Sequence, residues 1–243
     1  MKDDSGFDAA VASLVTAGYS LLSPTQFSRA VGVPASELSA MSGSWMSLPP
    51  DEYLRDGGAY RSRRHSCFVQ ELTGTLRQVG HRAHWQPTTY NALHGGIERW
   101  FEPIEPSIAT ASAWLSVMTS LGRLFHRVHG VDRWYVEAHQ FRIDTANGIG
   151  RPTPEGAHRD GVDFVAVILV NRQHVRGGET RVFDAHGTSG QRFTMMDPWS
   201  ALLMDDAKVI HETTPIQPDG GVGARDTLVL TYRGGGFQSQ DRV

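Results

Sequence analysis

The stretch Pro154-Glu155-Gly156-Ala157-His158-Arg159-Asp160-Gly161-Val162-Asp163 runs directly into an apolar segment, residues 164–170, and it decides the fold. Residues two apart on an extended backbone point to the same face, so His158 and Asp160 can reach one metal ion together. Taken alone the pair is weak evidence for a metal site, because a strand edge with two unrelated polar side chains has the same sequence pattern. The rest of the chain decides between the two interpretations.

His211 and Arg225, further along the chain, make the pattern more specific for one kind of site. His211 lies far enough after Asp160 for several strands to intervene before the chain returns to the same end of a sheet. Two histidines and one carboxylate on one side of an iron ion leave positions open for a co-substrate and dioxygen. Arg225, on the approach to an apolar strand, can form a bidentate pair with a dicarboxylate whose other end binds that metal. Its plainer interpretation is a surface guanidinium beside Asp226.

Around these residues the apolar pattern is that of strands. Turn residues separate the predicted strands, which are 134–143, 164–170, 179–183, 201–204 and 227–232. Gly177-Gly178 predicts a tight turn between two of them that does not contact a ligand.

The first half has mainly helical patterns. Apolar residues between Phe7 and Val15 recur at helical spacing, and Gly18 is placed to end that helix. Ser23-Pro24-Thr25-Gln26 predicts a capped helix start after a short strand, 19–22. The clearest helix spans 107–128, and the run 66–72 is a candidate strand. We therefore predict one α+β domain over 1–243, with a helix-rich part (1–133), metal-binding strands (134–233) and a flexible tail (234–243).

Bulk properties exclude several classes of protein. The 243 residues carry a net charge of −3, which does not favour nucleic acid or an anionic membrane as a partner. Cys67 is the only cysteine, so neither an internal disulfide nor a thiolate metal cage can form, and we expect it to be structural. The absence of a signal-like or membrane-spanning apolar run makes a cytoplasmic protein the expectation.

The ordered set of the 154–163 stretch, Gly177-Gly178-Glu179, His211 and Arg225 resembles the iron(II)- and 2-oxoglutarate-dependent dioxygenases. Within them it is most similar to the small bacterial branch that includes isoleucine 4-hydroxylase and related free amino-acid hydroxylases. The similarity extends from about residue 19 to 233 and is strongest from 134 to 232.

The resemblance implies a double-stranded β-helix, the cupin-like jelly-roll, with helices packed on one side. It implies that His158, Asp160 and His211 bind iron(II), and that Arg225 binds the distal carboxylate of 2-oxoglutarate. Because relatives that halogenate lack the carboxylate ligand, Asp160 favours hydroxylation, with dioxygen as oxidant and succinate and carbon dioxide as by-products. The implied substrate is a small molecule, a free L-amino acid or a close derivative; the state of assembly, including a homo-oligomer, stays open.

Further residues are candidates for binding the ligands. On the strand 134–143, Gln140 and Arg142 share one face, and the resemblance implies contact of this pair with 2-oxoglutarate or substrate; a solvent-facing polar pair is the alternative. The basic cluster Tyr60-Arg61-Ser62-Arg63-Arg64 could hold a substrate carboxylate through Tyr60 and Arg61, or could be an exposed charge run.

Other polar residues have no predicted role in the chemistry. The histidine pairs 81/84 and 126/129 lack a third ligand at fixed spacing, and we interpret both as structural. Tyr90, Asn91 and Arg99 match positions shared in the resembled branch without an assigned role.

Two alternatives fit part of the same pattern. A cupin-like metal oxygenase or isomerase that needs no 2-oxo acid would use the same strands and metal ligands, and only Arg225 and the resemblance argue against it. A jelly-roll that binds a ligand without catalysis would not need a metal with open positions. Succinate formation separates the first alternative, and metal analysis separates the second.

Overall fold

The computed structural model describes residues 7–240. Its α-helices are α1 (Asp8–Ala17), α2 (Pro24–Val31), α3 (Ala35–Ala40), α4 (Pro106–Ala109) and α5 (Ser112–His129), and a 3₁₀ helix spans Met41–Ser47. Its strands are β1 (Tyr19–Leu22), β2 (Arg61–Glu71), β3 (Leu76–Gln78), β4 (Arg133–Asp144), β5 (Phe164–Gln173), β6 (Val175–Gly177), β7 (Thr180–Asp184), β8 (Gly190–Phe193), β9 (Ala201–Asp205), β10 (Val209–Thr213), β11 (Ile216–Pro218) and β12 (Ala224–Arg233).

The helices begin and end at the residues whose chemistry favours those positions. Ser23 accepts a hydrogen bond from the Gln26 backbone while the Gln26 side chain accepts one from the Ser23 backbone, which is the predicted capping box at the start of α2. Gly18, Gly32 and Gly130 end α1, α2 and α5 in left-handed conformations that cost glycine little. The predicted helix 107–128 is divided, because the chain leaves helical geometry between α4 and α5.

A seven-stranded antiparallel sheet organises the molecule, in the order β1-β9-β5-β12-β4-β2-β3. A three-stranded sheet, β10-β7-β8, and a two-stranded sheet, β11-β6, complete the architecture of the described residues. The α+β prediction is confirmed by this arrangement of antiparallel strands with few helices. The finer prediction of a double-stranded β-helix stays a prediction.

The two faces of the large sheet have different partners because side chains alternate along each strand. On β5, Ala166 and Ile168 pack with the helices in the main apolar core, whereas Val165 and Leu169 join a second core with Val182 of β7. One face of the large sheet is therefore covered by helices, and the other faces the small sheets.

Several elements depart from the sequence predictions. The longest strand of the first half, β2, begins at Arg61 and pairs with β4 over eleven positions, so residues before 134 build the central sheet as well as helices. Strands β3, β6, β8, β10 and β11 were not predicted. They are short or polar, and alternation gives little signal over so few residues.

The predicted flexible tail is packed over part of its length. The Phe237 ring lies edge-on to Tyr135 with centroids 5.1 Å apart, and Arg82 stacks on the same ring. Gln238 is buried and donates from Nε2 to the carbonyl oxygens of Asp160 and Gly161 at 3.0 and 2.8 Å. The prediction is wrong for these residues, and 241–243 lie outside the described part of the chain.

Among the described residues, no helix combines the length and the apolar character that crossing a membrane requires.

Candidate active site

His158 and His211 are brought together by backbone pairing. Each donates its backbone N–H to the other's carbonyl oxygen at 3.0 Å, which forms an antiparallel bridge outside the named ladders. Directly opposed residues of such a pair point to one face. Their rings accordingly lie with centroids 4.6 Å apart. His211 comes from β10, and His158 from the loop that leads into β5.

The loop that carries Asp160 is held by a buried carboxylate. Asp206 accepts backbone hydrogen bonds from Asp160 at 2.9 Å through Oδ1, and from Gly161 and Val162 at 2.8 and 3.2 Å through Oδ2. Burial and the nearby Asp160 carboxylate raise the pKa of Asp206 to about 6, although the three N–H donors act in the opposite direction. Asp206 therefore positions a candidate ligand without facing the metal itself.

The geometry of these three side chains fits a divalent metal. Their ligand atoms all lie within 4.8 Å of one another. Asp160 Oδ1 is 3.9 Å from His158 Nε2, and Asp160 Oδ2 is 3.8 Å from His211 Nε2, which are longer than hydrogen bonds and suit atoms on either side of an ion.

The tautomers of the histidines suit ligation. His158 Nδ1 lies 2.9 Å from the Gly156 carbonyl oxygen and must donate to it, so the neutral ring keeps the lone pair on Nε2. Burial acts against protonation of His158, but the Asp160 and Glu155 carboxylates raise its pKa, so a metal at Nε2 would displace a proton. His211 Nδ1 is buried without a partner. Burial, with His158 nearby, places the pKa of His211 well below its usual range and keeps that ring neutral.

Arg225 is buried in the same cavity with unmet hydrogen-bonding capacity. Its side chain extends from β12, and the Nε and Nη2 atoms have no partner among the described residues. Burial, with Arg172 nearby, lowers its pKa to about 10, so the guanidinium remains charged at neutral pH. A buried guanidinium with free N–H groups is suited to bind a carboxylate in two-pronged geometry.

One cavity is lined by the three candidate metal ligands, by Arg225 and by residues of several strands. Its polar wall is built from opposed residues on β2, β4 and β12. Three rows share this face in register: Arg61–Ile143–Arg225, Arg63–Phe141–Thr227 and His65–His139–Val229, and all of these residues except His65 line the cavity.

The expected role of Gln140 and Arg142 is wrong, because both lie on the opposite face of β4. Gln140 donates to Ser44 Oγ at 2.8 Å, and Arg142 pairs with Asp226 at 3.2 Å and with the Trp45 carbonyl oxygen. The physical reason is the two-residue period of a strand. Their parity matches the helix-packed residues of β4, so the odd-numbered residues face the cavity.

The basic cluster gives a mixed outcome. Arg61 lines the cavity, where it is buried and ion-paired with Asp51 at 2.7 Å. Tyr60 packs in a separate apolar cluster and donates its hydroxyl to Asp56 at 2.6 Å, so it does not line this cavity. The alternative of an exposed charge run is wrong for Arg61 and Arg63.

A second group of metal-type ligands lies in the same wall. His65, His84, Glu137 and His139 are all buried, and their ligand atoms also lie within 4.8 Å of one another. The predicted 81/84 pair does not act as a unit: His81 Nε2 faces the Phe101 carbonyl oxygen at 2.8 Å, while His84 joins this group. Cys67, structural as expected, is buried with Sγ 3.4 Å from His65 Nε2.

Sequence reasoning missed the residues that support the metal ligands. Gln86 donates from Nε2 to Asp160 Oδ1 at 3.1 Å, and its Oε1 accepts from Arg99 at 3.0 Å and from Asn91 at 3.2 Å. Asn91 and Arg99 were noted only as shared positions. No local pattern marks Gln86 or Asp206, because both act through contacts distant along the chain.

The family model described as 2OG-Fe dioxygenase matches residues 42–231, which include the three candidate ligands and Arg225. Comparison with curated protein sequences gives no significant match.

Among solved structures, the chain is similar to a bsmA homolog from Methylobium petroleophilum PM1, with 53% identity, a TM-score of 0.92 and coverage of 98% of this chain and 97% of that one. It shares its fold with IDO from Bacillus thuringiensis (18% identity, TM-score 0.76, coverage 97% and 98%). The Fe(II)/α-ketoglutarate-dependent dioxygenase TqaL also shares the fold, with 17% identity, a TM-score of 0.69 and coverage of 94% and 89%.

Proposed function

The chain belongs to the 2OG-Fe dioxygenase family, and on that premise we propose that it hydroxylates a free L-amino acid or a close derivative. Enzymes of this family use iron(II), 2-oxoglutarate and dioxygen. The observation that carries the proposal is one cavity that holds a metal-type triad and a buried, unpaired Arg225. The resemblance to the amino-acid hydroxylases supports the substrate class.

We propose that His158, Asp160 and His211 would hold iron(II). The bound iron would supply oxidation by dioxygen coupled to decarboxylation of the 2-oxo acid. The protein's own groups orient the reactants. The Gly156 carbonyl oxygen sets the ring of His158, Asp206 holds the loop of Asp160, and Arg225 binds the distal carboxylate of 2-oxoglutarate. Val167 and Val229 line the cavity between polar groups and help to exclude water.

The first test is anaerobic loading with iron(II) and 2-oxoglutarate, followed by air and a panel of L-amino acids, with succinate as the readout. Succinate that rises with one chemical class of amino acid is the expected result. Binding of iron and 2-oxoglutarate without any such stimulation would contradict the amino-acid substrate but leave the family chemistry intact.

Two variants test the assigned roles. We expect His158→Ala to lose turnover because iron(II) binding is lost, as metal analysis of the purified variant would show. We expect Arg225→Gln to retain iron and raise the Kd of 2-oxoglutarate on the order of 100-fold, since a buried charged pair is broken. An Arg225→Gln protein with the wild-type Kd for 2-oxoglutarate would remove Arg225 from this role.

A further inference from the structure

Arg99 is a buried cation that forms no ion pair among the described residues. Among the arginines that line the cavity, Arg61 and Arg63 lie 2.7 and 3.8 Å from Asp51, and Arg225 is assigned to 2-oxoglutarate. Arg99 is 2% exposed, makes no ion pair among the described residues, and leaves Nε without a partner. Burial lowers its pKa to about 10, so it remains charged at neutral pH. A buried guanidinium of this kind is stable only when something compensates its charge.

The side chain of Arg99 is linked to the metal ligands through one residue. Gln86 accepts from Arg99 Nη2 at 3.0 Å and donates to Asp160 Oδ1 at 3.1 Å. An anion bound by Arg99 therefore lies close to the metal centre. Arg99 and Arg225 line the same cavity but belong to different segments of the chain, since Arg99 pairs with His84 and Arg225 lies on β12.

His84 links Arg99 to a carboxylate in the same wall. The backbones of His84 and Arg99 pair at 2.9 and 3.0 Å, and His84 Nδ1 lies 2.6 Å from Glu137 Oε2. His65 Nε2 contacts the same oxygen at 3.0 Å. Both histidine contacts are to Oε2 of Glu137, and Glu137 lines the cavity.

The geometry around Glu137 is that of a hydrogen-bonded anion. Its nearest histidine contacts are 2.6 and 3.0 Å, whereas the candidate iron ligands stand 3.8 and 3.9 Å apart. Arg63 Nη2 lies 2.6 Å from His139 Nδ1, and a guanidinium can only donate, so the proton of neutral His139 is on Nε2. That nitrogen, which faces Glu137 at 3.8 Å, has no lone pair for a metal.

We propose that Arg99 binds the α-carboxylate, and Glu137 Oε1 the α-ammonium, of the amino-acid substrate. This inference rests on the proposed function and adds the means by which a free amino acid is selected. A cation and an anion in the same cavity wall, connected through His84, match the two charges of a zwitterion. An amino acid within a peptide lacks both charges and would leave Arg99 and Glu137 uncompensated.

The experiment is a thermodynamic cycle that combines a chemical change in the ligand with a substitution in the protein. Binding of each L-amino acid, its α-amide and its α-hydroxy acid is measured anaerobically to the iron(II)·2-oxoglutarate complex. The proteins are wild type, Arg99→Gln, Arg99→Lys and the control Arg123→Gln, whose guanidinium contacts Ser120 on α5 outside the cavity. The visible charge-transfer band of iron(II)-bound 2-oxoglutarate shows that the metal centre of each variant is intact.

In the wild type, we expect replacement of carboxylate by amide, or of ammonium by hydroxyl, to weaken binding roughly 100-fold. In Arg99→Gln the penalty for the amide should shrink to a few-fold, whereas Arg123→Gln should keep the full penalty. The α-hydroxy acid should stay penalised in Arg99→Gln, because Glu137 is unchanged.

Four outcomes would overturn the inference. The first is equal affinity of the wild type for an amino acid and its amide, and the second is an unchanged amide penalty in both Arg99 variants; succinate formation with amino acids would then leave the proposed function standing. No binding of any L-amino acid would overturn the proposed function and the inference together. Two equivalents of iron(II) or zinc(II) per wild-type chain, falling to one on His65→Ala, would show that the Glu137 group holds a metal.

Discussion

At the scale of single residues, the candidate iron ligands are positioned by groups that never face the metal. Asp206 is the clearest example, because its two oxygens accept three consecutive backbone N–H groups of the loop that carries Asp160. An asparagine at this position would present an N–H group to one of those donors. The ligand would remain, but its loop would lose part of its support.

We therefore expect Asp206→Asn to weaken iron(II) binding by about 10- to 100-fold, the usual cost of losing a partner that orients a ligand. Anaerobic titration with iron(II) measures the effect. The neighbouring Asp205→Asn is the matched control, since Asp205 is also buried but contacts His129 and Lys208 instead. Equal affinities for the two variants would show that the Asp206 contacts do not matter for the metal.

Reading the motifs by spacing and family resemblance predicted the candidate metal ligands and Arg225, and the structure brings all four residues into one cavity. The same approach gave the wrong face for Gln140 and Arg142, although the apolar alternation along the strand indicates the correct one. Trp134, Val136 and Ala138 have the same parity and pack with the helices. Reading the apolar alternation to the end of the strand would have placed the polar pair on the helix-packed side.

At the scale of elements, the long strands and the capped helices could be predicted, and the short strands could not. Tyr19–Leu22 and the capping box at Ser23 are confirmed with their predicted bounds because their signals are local. β10, which supplies His211, has no strong alternation, and it is a strand because β7 pairs with it. Tertiary pairing of this kind leaves little trace in a five-residue window.

One element contact predicts a measurable stability effect. The pairing of β12 with β5 shifts register between Asp226 and Thr227, and the Thr227 carbonyl oxygen accepts from Trp45 Nε1 at 3.0 Å. Trp45→Phe keeps most of the apolar bulk but leaves this buried acceptor without its donor. We expect the free energy of unfolding to fall by about 1–3 kcal/mol, measured by urea denaturation.

The control for this variant is Trp100→Phe, because Trp100 is 52% exposed. A change within about 0.5 kcal/mol is expected there. If Trp45→Phe were as stable as Trp100→Phe, the hydrogen bond from the Trp45 indole to the bulge would make no net contribution to the free energy of unfolding.

At the scale of the whole molecule, stability should depend on pH through the buried histidines of the cavity wall. Burial, opposed by Glu137, lowers the pKa of His84 to about 3, and burial also lowers the pKa values of His65 and His139. The unfolded chain takes up these protons near pH 6.5, whereas the folded protein does not. Stability is therefore fully present above about pH 6.5 and falls as the pH drops from there towards 3.

For His84 the loss is on the order of 1 kcal/mol per pH unit between its unfolded and folded pKa values. Urea denaturation of chelator-treated protein at pH 7.5 and 5.5 measures the total. The matched variant His84→Gln should lose about 1 kcal/mol less than wild type over this interval. An identical pH response of the two proteins would contradict a neutral buried His84.

The predicted boundary at residue 134 separates helix-rich from strand-rich sequence, but the two parts build the cavity together. β2 and Arg99 come from the first part, and Gln238 from the last, yet all contribute to the cavity built around the strands of the middle part. Long-range pairing creates this wall, and no stretch of the sequence contains it. This is why the candidate iron site was predictable and the opposite wall was not.

The buried thiol of Cys67 gives the protein a native reporter group. Because it is the chain's only cysteine, is buried and lies against His65, a thiol reagent reacts with the protein only when the structure around Cys67 opens. The labelling rate thus reads the frequency of that opening without an engineered probe. Slower labelling in the presence of a bound amino acid would register occupancy of the cavity by a kinetic route, independent of iron and of turnover.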